Sequence, residues 1–447
     1  MFATRRHILA LLTAAAFVCL NSWGARAEES APVAAEDMLA QYVNAPDPTC
    51  RWEKGPAAWD DTGSLSDILL TSQTWRGITW KHLLRLAIPA EVKYPGWMLL
   101  YITGGSGEAR PGRREGQDAE AIAIARAIEA PVAVLYRVPN QPLFDGMVED
   151  EIISYTFQNY MMDADPTWPL LFPMTKSAAR AMDALQQYAK REWQQEIHSF
   201  VVFGHSKRGW TTWLTAAADR GKRVKAIAPA VFDNLNIREQ MPHQVELWGA
   251  YSEEIDDYSS KGLTELLDTP RGRMLVTSVD PYTFRANLTM PKLILNGSND
   301  PYWATDALNY YWDDLVGPKY VLYAPNRGHG IMGSECVPNT LSAFFRTVAA
   351  GKAMPEISWT RQVEGDTVTL TIKAPQATGA RAWAATADDL DFRPQTWRST
   401  EMAGGNGVFT VTIARPADKN IAVFGEADFT ADGRAFTLST QNAILKK

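Results

Sequence analysis

The sequence predicts an open, mostly parallel α/β sheet with helices on both faces and cap insertions, followed by a small all-β, sandwich-like domain. Three observations lead there. Between about residues 77 and 350, apolar β-rich runs alternate with stretches that carry apolar residues at i, i+3, i+4 spacing. Several of those runs are nearly continuous in Val, Ile, Leu and Tyr, as strands covered on both faces are. After Gly351 the pattern changes to short runs, several alternating with period two, between Gly, Pro, Asp and Asn turns.

Taken in order, residues 1–27 read as an export signal. Arg5 and Arg6 give the positive start, Ile8 to Leu20 the apolar stretch, and Ala25-Arg26-Ala27 the cleavage pattern. "TRRHIL" also resembles a twin-arginine signal. No later stretch approaches the roughly 18–20 uninterrupted apolar residues that spanning a bilayer needs, so a periplasmic or secreted protein without a transmembrane segment is expected. Residues 28–60 are expected to form an N-terminal arm with Trp52 and Trp59 as anchors.

The α/β domain covers 61–352. Its strands are expected at "ITWKHLLRLAIP", "GWMLLYITGG", "PVAVLYRV", "SFVVFGH", "VKAIAPAVFD", "KLILNGSND" and "KYVLYAPN". Helices are expected over 114–130, 175–193, 208–220 and 303–315. Insertions at 139–174, rich in acids and aromatics, and at 234–289 are too long for ordinary connections and predict a partly helical cap. Residues 353–447 form the β domain.

Composition narrows the function. With 44 Lys+Arg against 51 Asp+Glu the net charge is −7, and losing Arg5, Arg6 and Arg26 with the signal deepens it by three. No basic block offers a phosphate-tracking stripe, so nucleic acid is not an expected partner. Cys19 leaves with the signal. Cys50 and Cys336, an even pair in an exported chain, predict one disulfide. No H-E-x-x-H, paired C-x-x-C or His/Asp ligand cluster occurs, and "GGSG" fits neither a dinucleotide fingerprint nor a P-loop, so no metal or cofactor is expected.

The chemistry centres on "VVFGHSKRGW". Ser206 stands where a strand meets a helix, with Gly204 two residues before it, the context of an elbow nucleophile. The usual G-x-S-x-G is altered, because Arg208 holds the second following position and Gly209 the third; a helix-capping serine is the alternative. A serine hydroxyl needs a base, and the base an orienting acid. Asp300 ends "KLILNGSND" and His329 follows "KYVLYAPN", giving the order Ser, Asp, His required of an α/β-hydrolase. Asp300 could instead cap a helix. Asp233, after "VKAIAPAVF", and His243, in the second insertion, are the runner-up acid and base.

An oxyanion would be held by the Lys207 amide and by "TGGSG", with Gly105 and Ser106 in position to donate. Glu149 and Asp150, with Glu151, are candidates for a cation or a substrate amine, or form a solvated acidic face. Trp168, Trp210 and Trp248 are candidate stacking platforms. Lys207 and Arg208 open a helix at its positive end, where cations are disfavoured. Either they pair with the acidic insertion, or Lys207 projects into the site.

"EDEIISYTFQNYMMDADPTWPLLFPMTKSAARAMDALQ", "VVFGHSKRGWTTWL", "LILNGSNDPYW", "YAPNRGHG" and "AWAATADDLDFRPQTW" together resemble the family of PhoPQ-activated pathogenicity-related proteins, a branch of the α/β-hydrolase superfamily. The resemblance spans nearly the whole mature chain and implies an exported hydrolase with Ser206, Asp300 and His329 at the matching positions. "GHSKRG" is also locally similar to the elbow of glucuronoyl esterases, where a cationic residue follows the nucleophile. The expected activity is hydrolysis of a small-molecule ester or amide through an acyl-enzyme. The alternatives are aminopeptidase-like cleavage of peptides and non-catalytic peptide binding on a hydrolase scaffold.

Overall fold

The computed structural model describes residues 34–60, 63–106, 110–112 and 117–447. The expected export signal, residues 28–33, Gly107 of the glycine-rich loop and the side chain of Trp59 lie outside these. The central strands are β1 (Arg51–Asp60), β2 (Gly63–Trp75), β3 (Ile78–Pro89), β4 (Trp97–Ile102), β5 (Val132–Leu135), β6 (Ser199–His205), β7 (Val224–Ala230), β8 (Lys292–Gly297) and β9 (Lys319–Ala324). They lie in the order β1-β2-β3-β5-β4-β6-β7-β8-β9. From β5 to β9 all neighbours are parallel, while β1, β2 and β3 form antiparallel pairs at one edge. This is the α/β-hydrolase arrangement. The near-continuous apolar runs become its middle: every residue of β4 after Trp97, all of β5 and β8, and all of β6 before His205 are buried.

The helices are α1 (Ala35–Asn44), α2 (Asp118–Ile128), α3 (Glu149–Asp163), α4 (Leu171–Tyr188), α5 (Lys207–Ala218), α6 (Ile237–Trp248), α7 (Asp256–Ser259), α8 (Pro270–Val279) and α9 (Cys336–Ala349). The first insertion supplies α3 and the second supplies α6 to α8, so the cap is partly helical.

The N-terminal segment is more integral than an arm. Residues 51–60 are the sheet's edge strand, broken in register between Lys54 and Ala57 around Gly55 and Pro56, a device that keeps an edge from recruiting another chain. Trp52 anchors it to the end of α4, donating to the Gln187 side chain at 2.8 Å and lying 4.1 Å beneath the Arg191 guanidinium. Beside it, Arg85 of β3 bridges buried Asp67 of β2 and buried Asp118 of α2. Each carboxylate offsets the cost of burying that cation.

The C-terminal strands are β10 (Ser358–Glu364), β11 (Thr367–Lys373), β12 (Gly379–Ala387), β13 (Arg398–Glu401), β14 (Ala403–Gly405), β15 (Val408–Ala414), β16 (Asn420–Ala431) and β17 (Arg434–Ser439). They make two layers. One is the four-stranded sheet β10-β11-β15-β14. The other, β17-β16-β12-β13, is annealed to the central sheet through Ser439 of β17 opposite Val321 of β9. Val368, Leu370 and Ile372 point inward from β11 with threonines between them, and share one core with Val423, Ala427, Leu322 and Ala324. The β layers therefore continue the hydrolase core.

The helix expected over 303–315 is absent; only a single 3₁₀ turn at Ala307–Tyr310 forms. Tertiary contacts take its side chains in divergent directions. The Trp303 indole donates to the Val231 carbonyl, the Tyr311 hydroxyl to Asp233, and the Asn309 amide to the Asn442 carbonyl. One helix face could not satisfy all three.

Candidate active site

Ser206 is the hinge between β6 and α5. Its φ of 58° and ψ of −128° place a non-glycine residue in left-handed backbone, a strained conformation that turns the chain sharply from strand to helix. The surroundings hold it there: the Ser206 N–H donates to the Ala230 carbonyl at 2.8 Å, and the Trp210 N–H donates back to the Ser206 carbonyl at 3.0 Å. Two glycines make the turn sterically possible. A Cβ on Gly204 would sit 2.6 Å from the Arg208 carbonyl oxygen, and one on Gly209 2.7 Å from that of Ala230. The shifted spacing noted in the sequence thus performs the same steric task one residue later.

Asp300 and His329, in the loops after β8 and β9, meet. His329 Nδ1 lies 3.1 and 3.0 Å from the two Asp300 carboxylate oxygens. The His329 ring lies against Tyr302 at 4.2 Å, while its Nε2 is buried without a hydrogen-bond partner among the described residues. His329 lies within electrostatic reach of His205, the residue before Ser206. Burial first, then the charges of His329 and Arg208, lower the neighbouring His205 to about 4, so His205 is neutral near pH 7.

The cations after Ser206 point into the first insertion. Lys207 Nζ lies 2.8 Å from Glu149 Oε2 and 2.9 Å from Asp150 Oδ2. Arg208 forks onto both oxygens of Glu149 at 2.7 and 2.8 Å and donates to the Val138 carbonyl. Burial works against ionising Glu149, but the Arg208 hydrogen bonds and charge, helped by Lys207, outweigh it and hold the carboxyl far below the usual range. Asp150 also accepts from the half-buried Tyr258 hydroxyl at 2.8 Å. Helix α3 is thereby clamped to the start of α5.

Ser206 and Lys207 open onto a cavity of about 90 Å³ between the sheet and the cap helices. Its walls are largely apolar, with Trp210, Phe232, Phe157 and Leu275 among them, and Asp150 and Asn234 also line it.

A family model for the PhoPQ-activated pathogenicity-related proteins matches residues 39–393. The chain belongs to that family. Autocrine proliferation repressor protein A of Dictyostelium discoideum is 29% identical to this family member over 430 residues, covering 88% of this chain and 85% of its own. Similar solved structures include acetyl xylan esterase 1 from Thermoanaerobacterium sp. JW/SL YS485, 14% identical over 70% of this chain and 92% of that one with a TM-score of 0.49. A glucuronoyl esterase from Solibacter usitatus is 13% identical over 70% and 91%, with a TM-score of 0.42.

Other residues singled out in this PhoPQ-related chain fall into place or apart. Gly105 and Ser106 stand exposed just past β4, and the preceding Gly104 backbone lies against the Arg208 guanidinium. Trp210 lines the cavity. Trp168 does not; it packs with Trp75, Phe144 and Tyr155 under the Arg76 guanidinium. Trp248 is covered by Arg393. Asp233, the runner-up acid, is buried between the Asn296 amide and the Tyr311 hydroxyl. His243 is tied to Asp306 at 2.7 Å.

The expected disulfide is not formed; Cys50 and Cys336 are both free. Cys50 feels Arg180 and Asp183 of α4, whereas Cys336 opens α9 beside the Ser334 hydroxyl and within the field of Glu426. Their parity in the sequence carried no information about these separate neighbourhoods.

Sequence reasoning missed Asn234, Tyr258 and Tyr302. Asn234 and Tyr302 each follow a strand end by a few residues, the position where ligand-facing side chains gather in open α/β sheets.

Proposed function

We propose that the protein is an exported serine hydrolase that cleaves an ester or amide through an acyl-enzyme. The observation that carries this is the buried Nε2 of His329, without a hydrogen-bond partner among the described residues and fixed from behind by Asp300, in a ring within electrostatic reach of the strained elbow that carries Ser206. With the Nδ1 proton directed at Asp300, the Nε2 lone pair is left to take the Ser206 proton as Oγ attacks the carbonyl. His329 then returns the proton to the leaving group, and water reverses the sequence to free the acid. The Lys207 amide, first in α5 and without an intrahelical partner, together with the Gly105–Ser106 backbone, would donate to the oxyanion.

The clamp on α3 favours this over aminopeptidase action. Glu149 and Asp150 already face Lys207 and Arg208, so a substrate ammonium would compete with two resident cations. A fluorophosphonate tests the reading: mass spectrometry should show one adduct, on Ser206, and none in Ser206→Ala. Folded wild-type protein that takes no label overturns it.

A further inference from the structure

The cavity beside Ser206 is selective in a way that its shape alone does not reveal. Four of its aromatic side chains carry a hydrogen-bond donor, and each is already engaged within the protein. The Trp210 indole donates to the Val279 carbonyl at 2.6 Å and that of Trp303 to Val231 at 3.2 Å. The Tyr258 hydroxyl donates to Asp150, and that of Tyr302 bonds the Glu254 carboxylate. The charged groups at the floor, Lys207 and Asp150, lie 2.9 Å apart and face each other. What these groups leave toward the cavity is hydrocarbon and ring, including Trp210 stacked on Phe232 at 4.8 Å.

Besides the Ser206 hydroxyl, the Asn234 side chain is the exception. Asn234 is 6% exposed, lines the cavity, and its Oδ1 has no hydrogen-bond partner among the described residues. A buried acceptor left unpaired is costly, and a ligand donor would remove that cost.

We propose that this cavity binds the uncharged, apolar portion of the substrate, an aliphatic or aromatic group joined to the scissile bond and carrying one hydrogen-bond donor for Asn234, and that it rejects polyhydroxylated groups. Apolar walls pair with hydrocarbon, whereas the several hydroxyls of a sugar entering a pocket with so few free polar groups would lose most of their water contacts unreplaced. The proposal rests on the assignment of the reaction to Ser206, and the pocket can be tested without turnover.

Ser206→Ala protein, titrated with acetamide, butanamide and hexanamide by ligand-observed NMR, should bind each roughly tenfold tighter for every two methylenes added. Xylose should not bind measurably. Thr264→Trp, which fills the cavity from a non-helical segment, should abolish the chain-length gain, and Leu275→Trp provides a second filler if the first fails to fold. Asn234→Leu should weaken hexanamide several-fold and leave methyl hexanoate, which lacks the donor, unchanged. Affinities flat across the amides, xylose binding as tightly as hexanamide, or a gain that survives both fillers overturns the apolar pocket. Equal effects of Asn234→Leu on amide and ester overturn the role of Asn234. Loss of fluorophosphonate labelling would overturn the hydrolase assignment while leaving these binding results intact.

Discussion

Two regions of this molecule hold a histidine against a carboxylate, and they differ in accessibility and in what lies near the ring. After β9, His329 meets Asp300 through Nδ1 at 3.0 Å; in the cap insertion, His243 of α6 meets Asp306 through Nε2 at 2.7 Å. The shorter contact belongs to the less accessible pair. The His243 side chain is 6% exposed, lies 4.5 Å from the Tyr310 ring, and its other nitrogen, 3.8 Å from Glu246, has no hydrogen-bond partner among the described residues. The His329 side chain is 25% exposed, its second nitrogen also lacks a hydrogen-bond partner among the described residues, and its charge reaches His205, the residue before Ser206. Hydrogen-bond length therefore does not mark a base. Nor does an unpartnered second nitrogen, which both rings have; what separates His329 is its place after a strand end, within electrostatic reach of the elbow.

The largest expected contrast follows from that difference. Ser206→Ala and His329→Ala should each lower kcat on the order of 10⁴-fold to 10⁶-fold, with the fold retained by circular dichroism. His243→Ala should cost stability, about 1–3 kcal/mol, and leave kcat within roughly tenfold. An equal collapse of activity in His243→Ala would erase the distinction.

The acids should divide the same way. Asp300→Asn removes the acceptor that fixes the His329 tautomer and should lower kcat by about 10⁴-fold, whereas Asp306→Asn should change it little. Steady-state kinetics of both, with Asp233→Asn alongside, decide the acid. A crippled Asp233→Asn beside a nearly neutral Asp300→Asn transfers the role to Asp233.

Lys207 sharpens the comparison at the clamp. Lys207→Ala leaves Glu149 and Asp150 one cation short, and because Glu149 is partly exposed the expected loss is modest, about 1–3 kcal/mol, read as a lower Tm. Turnover should stay within roughly threefold. A fall of about 10²-fold in kcat at unchanged Tm would instead give Lys207 a direct part in holding the oxyanion.

The smallest effect concerns Asp233, a buried acid with no histidine, which burial chiefly pushes up to about 7. Between about pH 4 and pH 7 the folded chain keeps a proton that the unfolded chain has released, so this residue makes stability fall as pH rises through that window. Asp233→Asn should flatten the slope by up to about 1.4 kcal/mol per pH unit. Denaturation midpoints of wild type and variant from pH 4.5 to 7 measure it, and parallel slopes would refute it.

Much of this was legible before folding, because it is local. β3 and β6 coincide with the apolar runs read for them, and the parallel strands between β4 and β9 fall within the others, since burial on both faces demands uninterrupted hydrocarbon. The order Ser206, Asp300, His329, each after a strand end, was equally visible, and so was the problem of two cations opening α5. β2 was harder to read, because "GSLSDILLTSQTW" mixes buried polar residues such as Ser72 and Gln73 with its apolar ones.

Sequence by itself determined the strand runs, the glycines that permit the elbow and the change to β structure after Gly351, all properties of neighbours a few residues apart. Tertiary structure alone decided that Lys207 and Arg208 reach Glu149 across about 60 residues and that two distant cysteines stay apart. It also decided that the run at 303–315 is pulled out of a helix, that Asn234, lining an apolar cavity, keeps an Oδ1 without a partner among the described residues, and that the last strands extend the central sheet. The physical reason is common to all five. Which partner satisfies a charge, a donor or a sheet edge depends on which surfaces meet once the chain has closed, and periodicity in the chain carries no record of that meeting.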